Sequence, residues 1–164
     1  MPFDASHGKD VVDLIAAVFV EYGMTFDPDD FDADLQDVRA HYLGRGGIFA
    51  VLVDAGRVIG TVAALPRSDT TCEIKRLYLR PEYRGQRHGR RLMEHVLAWA
   101  AERRFHEAIA WSDVRLLTAH RVYERLGFAP IGERTLADID RSREYGFRLA
   151  LQGKGAGRSD ASIR

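Results

Sequence analysis

Between residues 84 and 91 the chain reads Arg84, Gly85, Gln86, Arg87, His88, Gly89, Arg90, Arg91. Four arginines gather where a helical pattern begins, at the end of the helix dipole that repels cations. The conflict disappears if a dense anion sits there, gripped by the free N–H groups of the first turn and by the guanidinium groups together. Gly85 and Gly89 let the backbone come close to such a ligand. The competing reading is a solvated basic loop. There is no Gly-Lys-Ser/Thr ending of a Walker loop and no Gly-x-Gly-x-x-Gly fingerprint, so ATP and NAD are weaker candidates than another phosphate-bearing cofactor. The six histidines show no metal-ligand spacing, and no metal is predicted.

The elements that position this loop follow from periodicity. Leu92, Met93, Val96, Leu97 and Ala100 form the apolar stripe of a helix running from residue 89 to about 104. A strand over 71–79 precedes the loop and stops at Pro81. Its apolar alternation changes phase between Ile74 and Leu77, which predicts a bulge. A short apolar strand over 108–111 follows the helix. Strand, helix, strand is a crossover unit with its loop at the carboxyl end of the first strand, where ligands of open α/β sheets bind.

Upstream, Val11, Leu14, Ile15, Val18 and Phe19 predict a helix over 11–22 that stops at Gly23. Phe31, Leu35, Val38 and Tyr42 predict a second helix ending at Gly44. Residues 48–53 and 58–65 read as a hairpin joined by Asp54-Ala55-Gly56-Arg57. Downstream come a short helix over 118–126, ended by Gly127, and two strands, 128–134 and 145–151, separated by a polar loop.

A chain of 164 residues, 46% hydrophobic and 29% charged, has the composition of one globular domain. The domain is assigned to residues 1–152, and the glycine-rich polar stretch 153–164 is expected to be a disordered tail. Lys plus Arg equals Asp plus Glu at 24 each, which predicts neither a nucleic acid nor an anionic membrane as partner. Cys72 is the single cysteine, so no internal disulfide is available. No signal-peptide pattern occupies residues 1–10 and no stretch approaches the roughly 20 apolar residues of a membrane span, so a cytoplasmic protein is expected.

Glu73-Ile74-Lys75-Arg76-Leu77-Tyr78-Leu79 followed by Arg84-Gly85-Gln86-Arg87-His88-Gly89 resembles the signature of the GNAT superfamily of acetyl-CoA-dependent N-acetyltransferases. Tyr123-Glu124-Arg125-Leu126-Gly127-Phe128 resembles its second signature, with Ala119 four residues before the tyrosine. The resemblance runs from about residue 19 to 151. It implies an α/β (α+β) single-domain fold, with a mixed, mostly antiparallel sheet, a β-α-β crossover and helices on both faces. It further implies that main-chain groups of Leu77, Tyr78 and Leu79 pair with the pantetheine arm of acetyl-CoA. Arg84, Gly85, Gln86, Arg87, His88, Gly89 and Arg90 would hold its pyrophosphate. The acceptor would be a small-molecule or peptide amine, and two copies of such chains commonly pair through the last strands. Three departures stand out. Arg87 takes a position where the family usually has glycine, Leu116 one where it often has asparagine, and the first strand is reduced to residues 1–3 or absent.

Acetyl transfer to an amine needs a proton acceptor, an oxyanion donor and a proton for the departing thiolate. Glu73, on the strand that lines the cleft, is the candidate base for an ammonium whose pKa is about 10.4. The competing reading is an ion pair with Lys75, which projects to the same side. Tyr123 is the candidate acid, its phenol near pKa 10 facing a thiol near 8.5. It also belongs to an apolar stripe with Ala119, Val122 and Leu126, so a purely structural tyrosine stays open. The oxyanion would meet a backbone N–H near Leu79. His120 is an alternative base. Trp111, Ser112 and Asp113 border the acceptor site or form a capping turn, and Glu21 and Tyr22 are weaker candidates of the same kind. A non-catalytic acyl-CoA-binding module, favoured by Arg87 and Leu116, remains the alternative to an enzyme. An unrelated phosphate-dependent α/β protein would require both signatures and their order to be accidental.

Overall fold

The computed structural model describes residues 1–151, and the tail expected over 153–164 lies outside them. Six strands form one sheet in the order β1-β2-β3-β4-β6-β5. They are β1 (Ile48–Asp54), β2 (Arg57–Pro66), β3 (Thr71–Leu79), β4 (Glu107–Asp113), β5 (Ala129–Thr135) and β6 (Arg143–Ala150). Only β3 and β4 are parallel, and α3 (His88–Glu102) crosses between them. The β1–β2 turn places Ala55 at φ 47° and Gly56 at φ 77°, the two left-handed residues that a tight hairpin requires.

Helices cover both faces. On one, α1 (Gly8–Glu21) buries Val11, Leu14, Ile15, Val18 and Phe19, the stripe its period demands, against Phe49, Val51, Val58 and Ala63. On the other, α3 buries Leu92, Met93, Val96 and Ala100 against Val62, Ala64, Ile74 and Ala110, joined by Tyr123 of α4 (Leu117–Arg125). Truncating a fully enclosed residue such as Leu14 to alanine removes about 2–5 kcal/mol of stability. No helix of the described residues is long and apolar enough to cross a membrane.

The second expected helix does not form as one element. Residues 31–44 instead make a 3-10 turn, Ala33–Leu35, and a four-residue α2, Val38–His41, followed by a turn at Leu43–Arg45. Aspartates cause the break. Asp37 caps α2 by accepting from the Ala40 amide at 2.9 Å, while Asp32 and Asp34 turn their carboxylates towards β3. Leu35, Val38 and Tyr42 still reach the core. The first strand survives as a remnant, since the Phe3 amide donates to the Phe49 carbonyl at 3.0 Å and Pro2 bridges to Ala50.

Candidate active site

The expected bulge is present and sets the geometry of the site. On β2, Ala63 opposes Lys75 and Thr61 opposes Tyr78, so Arg76 and Leu77 together face Val62. Arg76 takes φ 57°, and the Thr61 hydroxyl donates to its carbonyl at 2.7 Å. The bulged guanidinium reaches Asp32 at 2.8 Å and also pairs with Asp34, which in turn accepts from the Tyr42 hydroxyl. All three side chains of the Arg76, Asp32, Asp34 cluster are less than 10% exposed. Burial alone would push the Asp34 carboxyl up, but Arg76 and Tyr42 outweigh it and hold Asp34 below its usual range.

Beyond the bulge the parallel strands part. They pair from Thr71–Glu107 to Ile74–Ala110 only, after which β3 follows β2 and β4 follows β6 as far as Asp113–Glu144. A wedge opens between them. The Arg80 amide donates to the Ile59 carbonyl at 3.0 Å, so the Leu79 carbonyl, opposite it in the same peptide plane, faces the wedge. By strand alternation the Leu79 amide and the main chain of Leu77 face it too. Tyr78, between them, turns its main chain to β2, in register with Thr61, and contributes its ring to the cleft instead.

At one end of the wedge lies the basic loop. Among the described residues, the amides of residues 85–90 donate to no backbone carbonyl. They are free for an anion at the head of α3. Gly85 has φ 72°, and Arg87, the N-cap of α3, has φ 64°. Arginine thus keeps the left-handed backbone that glycine would adopt freely, at a cost of about 1–2 kcal/mol. The four cations divide. Arg84 is held by Glu21 in a bidentate pair at 2.5 and 2.8 Å, donates to the Leu79 carbonyl at 2.9 Å and lies over the Tyr22 ring. It braces the loop against α1 and does not point a free guanidinium at a phosphate. Arg90 pairs with Glu94, whereas exposed Arg87 and Arg91 have no carboxylate partner among the described residues. Gln86 folds back on the Glu82 carbonyl at 2.9 Å, and the buried Nδ1 of His88 has no partner. Free amides, two unpaired arginines and an orphaned ring nitrogen fit a bound diphosphate.

At the other end is a cleft of about 280 Å³, lined by Glu73, Leu77, Tyr78 and Tyr123, with Trp111, Ser112 and Asp113 from the end of β4. Glu73 is 3% exposed. Its closer partner is Arg67 at 2.8 Å rather than Lys75 at 4.0 Å, so the expected surface pair is a buried carboxylate gripped from the rim. Tyr123 is also 3% exposed and packs between Phe128 and Phe147. Its hydroxyl lines the cleft with no hydrogen-bond partner among the described residues. Burial pushes its ionisation well above the usual phenol, so it stays protonated. His120 lies elsewhere: its Nε2 meets Ser112 Oγ at 3.1 Å and its ring packs on Tyr145 and Phe147, outside the cleft lining. Burial pushes the His120 ring nitrogen down, and it touches the cleft lining only through Ser112.

Among the lining residues to which the sequence analysis gave no role, three tie the walls together. Glu144 of β6 faces the cleft, where burial raises its carboxyl although Arg134 holds it at 2.7 Å. Arg134 stacks on Trp111 at 4.5 Å, and the far edge of Trp111 rests on Gly146, where a Cβ would come within 2.8 Å of the ring. The third is the bulged Arg76 itself. Alternation along the last strand, charged residue then aromatic then glycine, was the available signal for Glu144. Asp113, read as a capping residue, does both jobs: it grips Arg115, whose Nη1 reaches the Gly23 carbonyl at 3.1 Å, and it lines the cleft. Leu116 is buried at the head of α4 on the same wall. Among the described residues no group of three His, Cys, Asp or Glu is placed to hold a metal.

A mixed sheet split by a bulge, with unbonded amides at the head of its crossover helix, is an architecture with room for a ligand that joins a diphosphate to an extended arm. The family model for the acetyltransferase (GNAT) family matches residues 11–128, and the chain belongs to that family. It is 32% identical over 102 residues to N-acetylaspartate synthetase of Danio rerio, covering 61% of this chain and 36% of the relative. It is 34% identical over 106 residues to human N-acetyltransferase 8B, covering 61% of this chain and 47% of that protein. The chain therefore spans less than half the length of either relative. Among solved structures, a GNAT-family acetyltransferase from Staphylococcus aureus Mu50 superposes with a TM-score of 0.83 at 19% identity, covering 93% of this chain and 98% of the other. An aminoglycoside 6'-N-acetyltransferase complexed with coenzyme A gives a TM-score of 0.73 at 16% identity, covering 94% and 98%. These two likenesses establish the fold.

Proposed function

We propose that this chain transfers the acetyl group of acetyl-CoA to an amine held in the cleft. The observation that carries the reading is the parting of β3 from β4 beyond Ile74–Ala110. Free amides at the head of α3 lie past the carboxyl end of β3, and beside the same strand lies a cleft containing a buried carboxylate and an unpartnered phenol. Family membership supports it, as do relatives named for N-acetyl transfer and a structural neighbour solved with coenzyme A.

Each residue then has a role. The amides of residues 85–90, with Arg87 and Arg91, hold the diphosphate, and the Leu79 amide and Leu77 carbonyl hold the pantetheine arm, the Leu79 carbonyl being taken by Arg84. Glu73 accepts a proton from the incoming ammonium, directly or through water, which frees the lone pair that attacks the acetyl carbon. A C–N bond forms, the C–S bond breaks, and the second proton lost by the nitrogen passes to solvent, which returns one to the thiolate. The Leu77 amide, nearer the cleft than Leu79, is the available donor for the oxyanion. Tyr123 faces a leaving thiolate whose conjugate acid, near 8.5, is the stronger acid. Its raised ionisation makes complete proton transfer uphill, so its role is a hydrogen bond that steadies the thiolate until solvent protonates it.

The two departures that favoured a non-catalytic module do not disturb this arrangement, because Arg87 reproduces the glycine conformation and Leu116 packs into the wall. The test is thiol release from acetyl-CoA across a panel of amines. Release that depends on the amine and falls in Glu73→Gln supports the proposal. Coenzyme binding with no release from any amine contradicts it.

A further inference from the structure

The cleft is charged unevenly. Its inner carboxylates each have a cation: Glu73 has Arg67, Glu144 has Arg134, Asp113 has Arg115 and Asp32 has Arg76. The mouth does not. Asp140 is held only by the Thr25 amide and hydroxyl, at 2.6 and 2.7 Å, and Asp138 only by the Ser142 amide and hydroxyl, at 2.7 and 2.6 Å. The Asp27 carboxylate has no hydrogen-bond or ion-pair partner among the described residues, and all three residues line the same cleft as Tyr123. Arg115 stands near Asp138 and Asp140, but its guanidinium is engaged by Asp113 and the Gly23 carbonyl. Lys75 shares Glu73 with Arg67. The mouth therefore carries an excess of negative charge.

Between these carboxylates the lining is apolar. Met24 and Leu136 line the mouth, and Phe31 and Ile139 stand there 41% and 67% exposed. Carboxylates alternating with exposed apolar side chains match a ligand in which ammonium groups alternate with methylene segments. Inside the cleft Tyr123, 3% exposed as a residue and with no hydrogen-bond partner for its hydroxyl among the described residues, marks where the reacting end of such a ligand arrives.

We propose that the acceptor is an aliphatic di- or polyamine. One nitrogen reaches Glu73 and Tyr123, and a second, still protonated, lies among Asp27, Asp138 and Asp140. This rests on the acetyl-transfer reading for its reacting end, but the cation site itself is tested without transfer. Asparagine keeps the shape of each aspartate and can satisfy both Thr25 and Ser142, so the variant Asp27→Asn/Asp138→Asn/Asp140→Asn removes charge while conserving the loops.

The experiment is equilibrium dialysis of labelled spermidine against the full chain in the presence of coenzyme A, where no acetyl group is available. Binding is expected to weaken about tenfold in the triple variant, and comparably in the wild type as salt rises from about 50 mM to about 500 mM. Undetectable binding, or equal binding by the triple variant, overturns the proposal, as does stronger competition by kanamycin or by aspartate than by unlabelled spermidine. Thiol release on the same samples with acetyl-CoA separates the two claims. Spermidine that binds but takes no acetyl group contradicts the transfer reading and leaves the cation site standing. Transfer to an anionic amino acid in preference to spermidine does the reverse.

Discussion

The loop end of the wedge lies within consecutive residues 85–91, whereas the cleft end, the proposed acceptor end, draws side chains from the α1–β1 connection, β3, β4, α4 and the β5–β6 segment. The first end works mostly with main chain. Its amides are free because a helix starts there, and the side chains add charge. The second works with side chains brought together around the bulge at Arg76, and its walls are tied by contacts distant in sequence: Arg76 to Asp32, Asp140 to Thr25 and Arg115 to Gly23. Damage at the acceptor end should therefore spread into stability and acceptor affinity, while damage at the loop should stay local to acetyl-CoA.

The largest effect is expected at the tie between the two halves of the cleft. Arg76→Ala strands Asp32 and Asp34 in a buried setting and should cost about 3–5 kcal/mol in urea unfolding. A loss below about 1 kcal/mol would show that the acceptor wall does not hang on this cluster. The same cluster sets an acid limit. The Asp34 carboxyl titrates lower in the folded chain than its unfolded value of 3.8, so the stability it adds is complete above that value. It is lost as pH falls through the lower folded value, and Arg76→Ala should flatten that part of the stability profile.

Tyr123→Phe comes next. It removes the hydroxyl without changing the packing against Phe128 and Phe147, and kcat should fall about 100-fold with the KM for acetyl-CoA unchanged. Unchanged kcat would reduce Tyr123 to a packing residue. Gly146→Ala should be milder. Its methyl group displaces Trp111, and with it the stacked Arg134 and its partner Glu144, raising acceptor KM about fivefold while acetyl-CoA binding is unaffected. A matching loss of acetyl-CoA affinity would break the separation of the two ends.

The smallest effect belongs to Arg87→Gly. Relief of the left-handed strain roughly offsets the extra freedom of glycine in the unfolded chain, so stability should move by less than about 1 kcal/mol. Removing one phosphate-facing cation should weaken acetyl-CoA binding about threefold, read by calorimetry. Unchanged binding would leave the main-chain amides and Arg91 as the whole grip.

The same contrast explains what the sequence made legible. The loop, the α3 stripe, the hairpin and the bulge are periodic or contiguous signals, and each is present where the pattern put it. The helix over 31–44 was misread because Asp32, Asp34 and Asp37 act on partners that periodicity does not include. The partner of Arg84 was hidden for the same reason: Glu21 is 63 residues away. Glu73 was identifiable as a cleft carboxylate, but its true partner, Arg67, sits across a turn and not at the alternating position of Lys75. Glu144 and the Trp111, Arg134, Gly146 stack emerge only once β6 lies beside β4.

The central claim is that free amides and unpaired arginines at the head of α3 grip a diphosphate and so present the thioester to the cleft. Titration calorimetry of the unmodified chain with acetyl-CoA and with S-acetylpantetheine, which carries the same thioester and arm but no diphosphate, tests it directly. The account predicts that the truncated thioester binds at least about 100-fold more weakly, from the loss of several charge-assisted hydrogen bonds. Equal affinity for the two would contradict it.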